Sequence, residues 1–253
     1  MVMDEWYHYL LLVGVGFVVG FINTVAGGGS LISLPILIFL GLPPSVANGT
    51  NRVAIAIQNA MGVIGFKSKG VSTFPFNLYL GLSALAGAII GAQIAVDIKG
   101  ETFNRILAII MVIVVLIIVF RPKMKVHEMK ERLTGKYLWL GIIVFFFLGI
   151  YGGFINAGIG FVILLFLHYV NHMSLVRANA TKVAIVFTYT LSALVVFYLN
   201  DKILWKVGLV LALGNGAGAW FSSRISVDRG DGYIKIFLVV IIFLMAVRLW
   251  FFN

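Results

Sequence analysis

Apolar residues run along this chain in ten stretches separated by short polar or glycine-containing breaks. They fall at about 7–26, 30–41, 46–66, 75–96 and 103–120, and again at about 136–157, 160–171, 176–199, 203–222 and 230–251. A helix needs about 20 apolar residues to cross a hydrocarbon core of about 30 Å, and eight of the stretches have that length. Two are short. Leu31 to Leu40 rises only about 15 Å as a helix and follows Ala26-Gly27-Gly28-Gly29-Ser30, a run that does not readily continue a helix. The second half has a weaker break at Gly158-Ile159-Gly160, and its short stretch has no counterpart of Pro35. Irregular backbone at membrane depth is tolerated only where protein or a watery cavity surrounds it. The triglycine is therefore expected to line a cavity.

The two halves repeat each other. Gly20-Phe21-Ile22-Asn23 recurs as Gly153-Phe154-Ile155-Asn156, Ala47-Asn48-Gly49-Thr50 as Ala178-Asn179-Ala180-Thr181, and Gly87-x-x-x-Gly91-Ala92 as Gly214-x-x-x-Gly218-Ala219. The offsets are 133, 131 and 127 residues, in the same order. The expected architecture is an all-α polytopic membrane protein of two homologous repeats. Each repeat has four long segments and one short or broken one. The expected boundaries are 1–120 for the first repeat, 121–135 for a basic cytoplasmic linker and 136–253 for the second repeat. Duplicated apolar halves are a common plan of secondary transporters, with the substrate at their seam.

Composition sharpens this reading. Apolar residues make up 61% of 253 positions and charged ones 11%, roughly half the charge of a soluble domain. The formal charge of +10 does not require nucleic acid as a partner, because the basic residues cluster in short loops as cytoplasmic loops demand. With five crossings per half the second repeat is inverted and twelve of the nineteen basic residues fall on the linker side. With four crossings eleven do, so charge barely separates the two topologies. No cysteine is present, which removes disulfides, thiol nucleophiles and thiolate metal sites. Asp4 and Glu5 precede the first apolar run without a basic leader, so no cleavable signal peptide is expected.

The candidate chemistry is cationic. All nine carboxylates lie in or beside loops, whereas cation and proton carriers usually hold one within the membrane. Arg52 and Lys182 lie instead at duplicate positions inside long segments, Arg52-Val53-Ala54-Ile55 matching Lys182-Val183-Ala184-Ile185. Snorkelling to the interface would explain either cation singly; retention in both halves points to counter-charges for an anion. A helix starting at Ser30 offers backbone N–H groups and a positive dipole end, which bind oxyanions. The expected substrate site comprises Asn23, Gly27, Gly28, Gly29, Ser30, Asn48, Thr50, Asn51 and Arg52 with Asn156, Gly158, Gly160, Asn179, Thr181 and Lys182; Ser33 lies close by in sequence. His168 and His172 have the i, i+4 spacing of a metal pair, but without a neighbouring carboxylate or cysteine they are read as an interfacial pair. Gly87-x-x-x-Gly91 and Gly214-x-x-x-Gly218 are read as helix-packing motifs. There is no phosphate-binding loop to drive transport by nucleotide hydrolysis. No catalytic residue, metal or cofactor is expected.

The stretch from Gly20 through Gly27-Gly28-Gly29-Ser30 to Pro35 resembles the glycine-rich, proline-ended signature of the sulfite exporter TauE/SafE family. Ala47-Asn48-Gly49-Thr50-Asn51-Arg52 and Gly87-Ala88-Ile89-Ile90-Gly91-Ala92 resemble its next two blocks. The chain departs from the pattern at Phe161-Val162-Ile163-Leu164-Leu165, where a proline-ended run is expected. The resemblance implies a multi-pass permease of the inner cell membrane. Its partners would be the bilayer and a small sulfur-containing anion such as sulfite, thiosulfate, sulfoacetate or another organosulfonate, and a homo-oligomer is compatible with it. The rival class is a non-transporting scaffold or a membrane enzyme. An intramembrane hydrolase needs a nucleophile with its base, and no Ser-His, Cys-His or Asp-Asp set occurs at membrane depth.

Overall fold

The computed structural model describes residues 6–120 and 130–229. The described residues are helical throughout their ordered elements: α1 (Trp6–Ala26), α2 (Ser30–Phe39), α3 (Pro44–Ser68), α4 (Phe76–Asp97), α5 (Gly100–Phe120), α6 (Lys136–Phe154), α7 (Ile159–Tyr169), α8 (Leu175–Leu199) and α9 (Trp205–Arg229). Both short helices lie where the apolar runs are shortest. The expected segment 230–251, most of the linker and the acidic residues before the first run lie outside the described residues. Among the described residues, four helices are long and apolar enough to cross a membrane: Trp6–Val25, Phe76–Asp97, Lys136–Phe154 and Leu175–Leu199. Their outward faces carry Leu10, Leu82, Ile143 and Leu199. In water such a surface would aggregate; in lipid it costs nothing. The protein is a multi-pass membrane protein.

Local chemistry marks the start of several helices. Pro43 and Pro44 open α3, where a missing N–H is harmless and φ is preset. The Ser174 side chain accepts a hydrogen bond from the Arg177 amide, 3.3 Å, at the start of α8, the usual N-cap arrangement. Gly27 (φ +85°) and Gly158 (φ +71°) take left-handed backbone at the two breaks, which a side chain disfavours.

Side-chain neighbours give the helix directions. Gly16 and Gly20 of α1 lie against Leu211 and Asn215 of α9, while Gly214 and Gly218 of α9 lie against Val13 and Phe17 of α1; these two helices run parallel. Gly208 and Gly216 of α9 meet Thr50 and Ile57 of α3, so α3 joins them. On the other side, the Ser83 hydroxyl of α4 donates to the Ile142 carbonyl of α6 and the Ser192 hydroxyl of α8 to the Leu85 carbonyl of α4. Gly87 and Gly91 meet Phe146 and Ile150, so α4, α6 and α8 form a second parallel set. Gly62 faces Val183 and Gly49 faces Phe197, which makes α3 and α8 antiparallel. One half's first helix thus runs opposite to the other's, and the most extensive contacts (α1 with α9, α4 with α6, α3 with α9, α4 with α8) all join one half to the other.

Small residues permit these contacts. A methyl group on Gly91 would collide with the Ile150 carbonyl, and one on Gly153 with the Ala88 carbonyl; Gly20 and Gly218 are equally enclosed. Each Gly-x-x-x-Gly pair recognised in the sequence therefore packs against a second such pair, Gly149 with Gly153 or Gly16 with Gly20. Gly14 has open space around it. We expect Gly91→Ala to destabilise the protein by about 1–3 kcal/mol through overpacking, whereas Gly14→Ala stabilises it by up to about 1 kcal/mol through helix propensity. Melting temperatures of the two variants in detergent check the contrast.

Candidate anion site at the two helix breaks

The site begins with chain interruptions that meet. Gly27, in the first break, lies against the backbone of Gly160, one residue into α7, and a Cβ on either would collide with the other. These glycines stand at equivalent places in the repeats, separated by the same 133 residues as Asn23 and Asn156. No side chain fits between the two backbones. Close approach of this kind is available to glycine alone.

Around the breaks the polar side chains are tied to backbone. The Gly29 amide donates to Asn23 Oδ1, 3.1 Å, closing the first break from within. The Ser30 hydroxyl crosses to the other half and donates to the Asn156 carbonyl, 2.8 Å. Asn156 itself is left-handed (φ +56°), a conformation asparagine tolerates better than most residues, and its Oδ1 accepts from the Tyr189 hydroxyl, 2.5 Å. The Tyr151 hydroxyl donates to the Ala157 carbonyl. Gly28 accepts from the Leu31 amide at the first turn of α2, and Gly158 from the Phe161 amide at the first turn of α7.

The two cations are buried in the protein, Arg52 at 0% and Lys182 at 2% exposure, and neither snorkels to the interface. Arg52 Nη1 donates to the Gly152 carbonyl, 2.5 Å, and Nη2 to the Gly153 carbonyl, 2.8 Å, and to Asn48 Oδ1, 3.3 Å. Asn48 Nδ2 donates to the Phe154 carbonyl, 2.7 Å. Lys182 Nζ donates to the Asn23 carbonyl, 2.9 Å, the Thr24 carbonyl, 2.8 Å, and Asn179 Oδ1, 2.8 Å. The arrangement is reciprocal: each half's cation, braced by its own asparagine, caps the last turn of the other half's first helix. The asparagine precedes Arg52 by four residues and Lys182 by three, and both spacings share a helix face.

Electrostatics leaves both centres positive. A helix C-terminus presents about −0.5 of an elementary charge, which offsets part of the charge that each cation brings to it. The starts of α2 and α7 add positive dipole ends at the two breaks. The described carboxylates Asp97, Glu101, Glu131 and Asp201 sit at helix ends or in loops, where Glu101 pairs with Arg105 at 2.6 Å and Glu131 with Arg177 at 2.7 Å. Two buried donors at the cation centres have no hydrogen-bond partner, Arg52 Nε and Asn179 Nδ2.

Not every expected residue converges on one point. Val183 faces Gly62, ten residues along α3 from Arg52, so the two cations attach about 15 Å apart along that helix. Each cation reaches the last turn of a different helix, Arg52 that of α6 and Lys182 that of α1. Thr50 accepts from the Leu204 amide, 3.0 Å, and Thr181 donates to the Arg177 carbonyl, 2.7 Å, while lying 2.9 Å from the Thr73 hydroxyl. Both threonines fasten loops of the opposite half. Asn51 is buried, its Oδ1 without a partner, as is the Ser33 hydroxyl. His168 Nδ1 lies 2.8 Å from the Met173 carbonyl, and no cluster of three metal-ligating side chains occurs among the described residues.

Tyr189 and Tyr151 escaped the sequence reading, because an aromatic residue in an apolar run resembles any core residue. The Gln58–Asn215 pair escaped too, with Asn215 Nδ2 donating to Gln58 Oε1, 3.2 Å, and the remaining amide atoms unpartnered. Offset matching to the other repeat would not have found them: Asn215 aligns with Ala88.

Comparison with known proteins agrees with this architecture. The model of the family described as "Sulfite exporter TauE/SafE" matches residues 12–249. A probable membrane transporter protein of Haemophilus influenzae is 30% identical over 239 residues, covering 94% of this chain and 93% of that protein. The probable membrane transporter protein ORF9 of a Sinorhizobium species is 28% identical over 97% of this chain and 94% of its own. YfcA of Escherichia coli, also a probable membrane transporter, is 28% identical over 94% of this chain and 90% of its own. No solved structure matches. With four candidate membrane spans among the described residues and a family match over residues 12–249, the chain belongs to the sulfite exporter TauE/SafE family of membrane transporters.

Proposed function

We propose that this protein is a secondary transporter of small sulfur-containing anions, among them sulfite, thiosulfate, sulfoacetate and other organosulfonates. The two repeats, 1–120 and 136–253 with the basic linker 121–135 between them, form an inverted pair. Rocking of one against the other exposes the site alternately to the two sides. The observation that carries this reading is the pair of buried cations, Arg52 and Lys182, each held at the last turn of the other half's first helix. A buried charge is costly unless it is paired or functional, and neither centre holds a carboxylate among the described residues.

The substrate site is drawn from Arg52, Lys182, Asn48 and Asn179, with the backbone amides at Gly28–Ser30 and Gly158–Gly160. An oxyanion is a stronger acceptor than a carbonyl, so it displaces backbone oxygens from the guanidinium or ammonium without leaving the cation bare. Reconstitution tests the reading. Proteoliposomes containing the protein should accumulate radiolabelled sulfite or thiosulfate and should not accumulate sodium, potassium or amino-acid cations. Uptake no faster than in empty liposomes for every sulfur oxyanion and sulfonate, under imposed gradients of either direction, would refute it.

A further inference from the structure

Each cation centre contains a charged side chain, an asparagine on the same helix face and three hydrogen bonds to acceptors of which two are helix-terminal carbonyls. Each also contains one fully buried donor that nothing accepts: Nε in the guanidinium of Arg52, and Nδ2 of Asn179 beside Lys182. In its counterpart, Asn48 Nδ2 donates to the Phe154 carbonyl, so the idle amide of Asn179 is a departure from the repeat and not a consequence of it. A buried donor with no acceptor destabilises the ligand-free protein and is relieved by a ligand that accepts from it. The two centres attach about ten residues apart along α3, since Val183, beside Lys182, faces Gly62.

We propose that the protein binds two oxyanions in series, one at Arg52 and one at Lys182 with Asn179. The proposal rests on the anion-transport reading. A solute that must enter and leave quickly is served by successive modest sites better than by a single tight one. The two stations differ in chemistry. Arg52 offers a planar fork suited to two oxygens of one anion, whereas Lys182 offers a point charge supplemented by an amide. The Arg52 station therefore discriminates among oxyanions by shape, and the Lys182 station chiefly by charge.

Equilibrium dialysis of the detergent-purified full chain against radiolabelled thiosulfate, and separately against radiolabelled sulfite, counts the stations. The expected result is two anions bound per chain. Lys182→Met and Arg52→Gln should each bind one, the remaining affinity changing by no more than about twofold as for independent sites. Asn179→Asp, which keeps the acceptor for Lys182 but replaces the idle donor with a negative charge, should lose the Lys182 station alone. Lys182→Arg and Arg52→Lys retain the charge, keep two anions bound and serve where a neutral variant does not fold. A wild-type stoichiometry of one, or loss of all binding by either single neutral substitution in protein that melts normally, would overturn the two-station arrangement while leaving anion transport intact. Absence of binding by every sulfur anion together with absence of uptake would overturn both.

Discussion

Arg52→Met is expected to abolish most anion flux and to destabilise the protein. The methionine fills part of the volume but donates nothing, so the carbonyls of Gly152 and Gly153 and Asn48 Oδ1 lose the donors they now have. At about 1–2 kcal/mol for each hydrogen bond in a membrane interior, three bonds amount to about 3–6 kcal/mol. The guanidinium also lies over the Phe197 ring, 5.6 Å from its centroid, and that cation–π contact adds about 0.5–2 kcal/mol. Flux falls further than stability requires, because loss of one charge-assisted contact to the anion, about 1.5–3 kcal/mol, lowers uptake about tenfold or more. Uptake in proteoliposomes, normalised to correctly folded protein, separates the two effects. Arg52→Lys should keep the charge and recover part of the flux, though one ammonium cannot reproduce the fork that reaches two successive carbonyls. Normal flux in Arg52→Met would remove this residue from the site.

Gly160→Val separates the two breaks. A side chain there is built directly toward the Cα and carbonyl of Gly27, and those atoms belong to backbone that cannot rotate aside. Overpacking a core costs about 1–3 kcal/mol when side chains yield, and more when backbone must move; valine at this contact should cost 3 kcal/mol or more. The displacement also pulls Ser30 from the Asn156 carbonyl, 2.8 Å away, and disturbs the left-handed turn at Asn156. The variant should melt well below the wild type in detergent and transport little. Gly158→Ala is milder sterically than valine but must adopt φ +71°, at a cost of order 1–2 kcal/mol for a residue with a Cβ. A Gly160→Val protein with unchanged melting and unchanged uptake would show that the glycine contact opens freely and holds nothing together.

Much of this structure was legible in the sequence because the bilayer imposes simple rules. Apolar length locates helices, and a run of three glycines locates an interruption, so α1 to α9 fall close to where hydropathy puts them. The duplicated Arg52 and Lys182 were recognisable because a cation retained twice within apolar surroundings requires a reason. What each cation touches was not recognisable. Lys182 reaches Asn23 and Thr24 across 159 and 158 residues, and Arg52 reaches Gly152 and Gly153 across 100 and 101. No local pattern encodes pairings at such separations, since the acceptors are backbone carbonyls that every residue possesses.

The sequence by itself determined that this chain lives in a membrane, repeats itself, breaks two helices at glycine and buries positive charge beside the breaks. These are one-dimensional properties: length of apolar runs, absence of a Cβ, and the sign of a side chain. Only the tertiary structure decided that the breaks touch at Gly27 and Gly160, that each cation caps a helix of the other half, and that Thr50 and Thr181 hold loops. Those outcomes depend on which helix faces pack together, and close packing selects them through shapes that exist only once all the helices are in place.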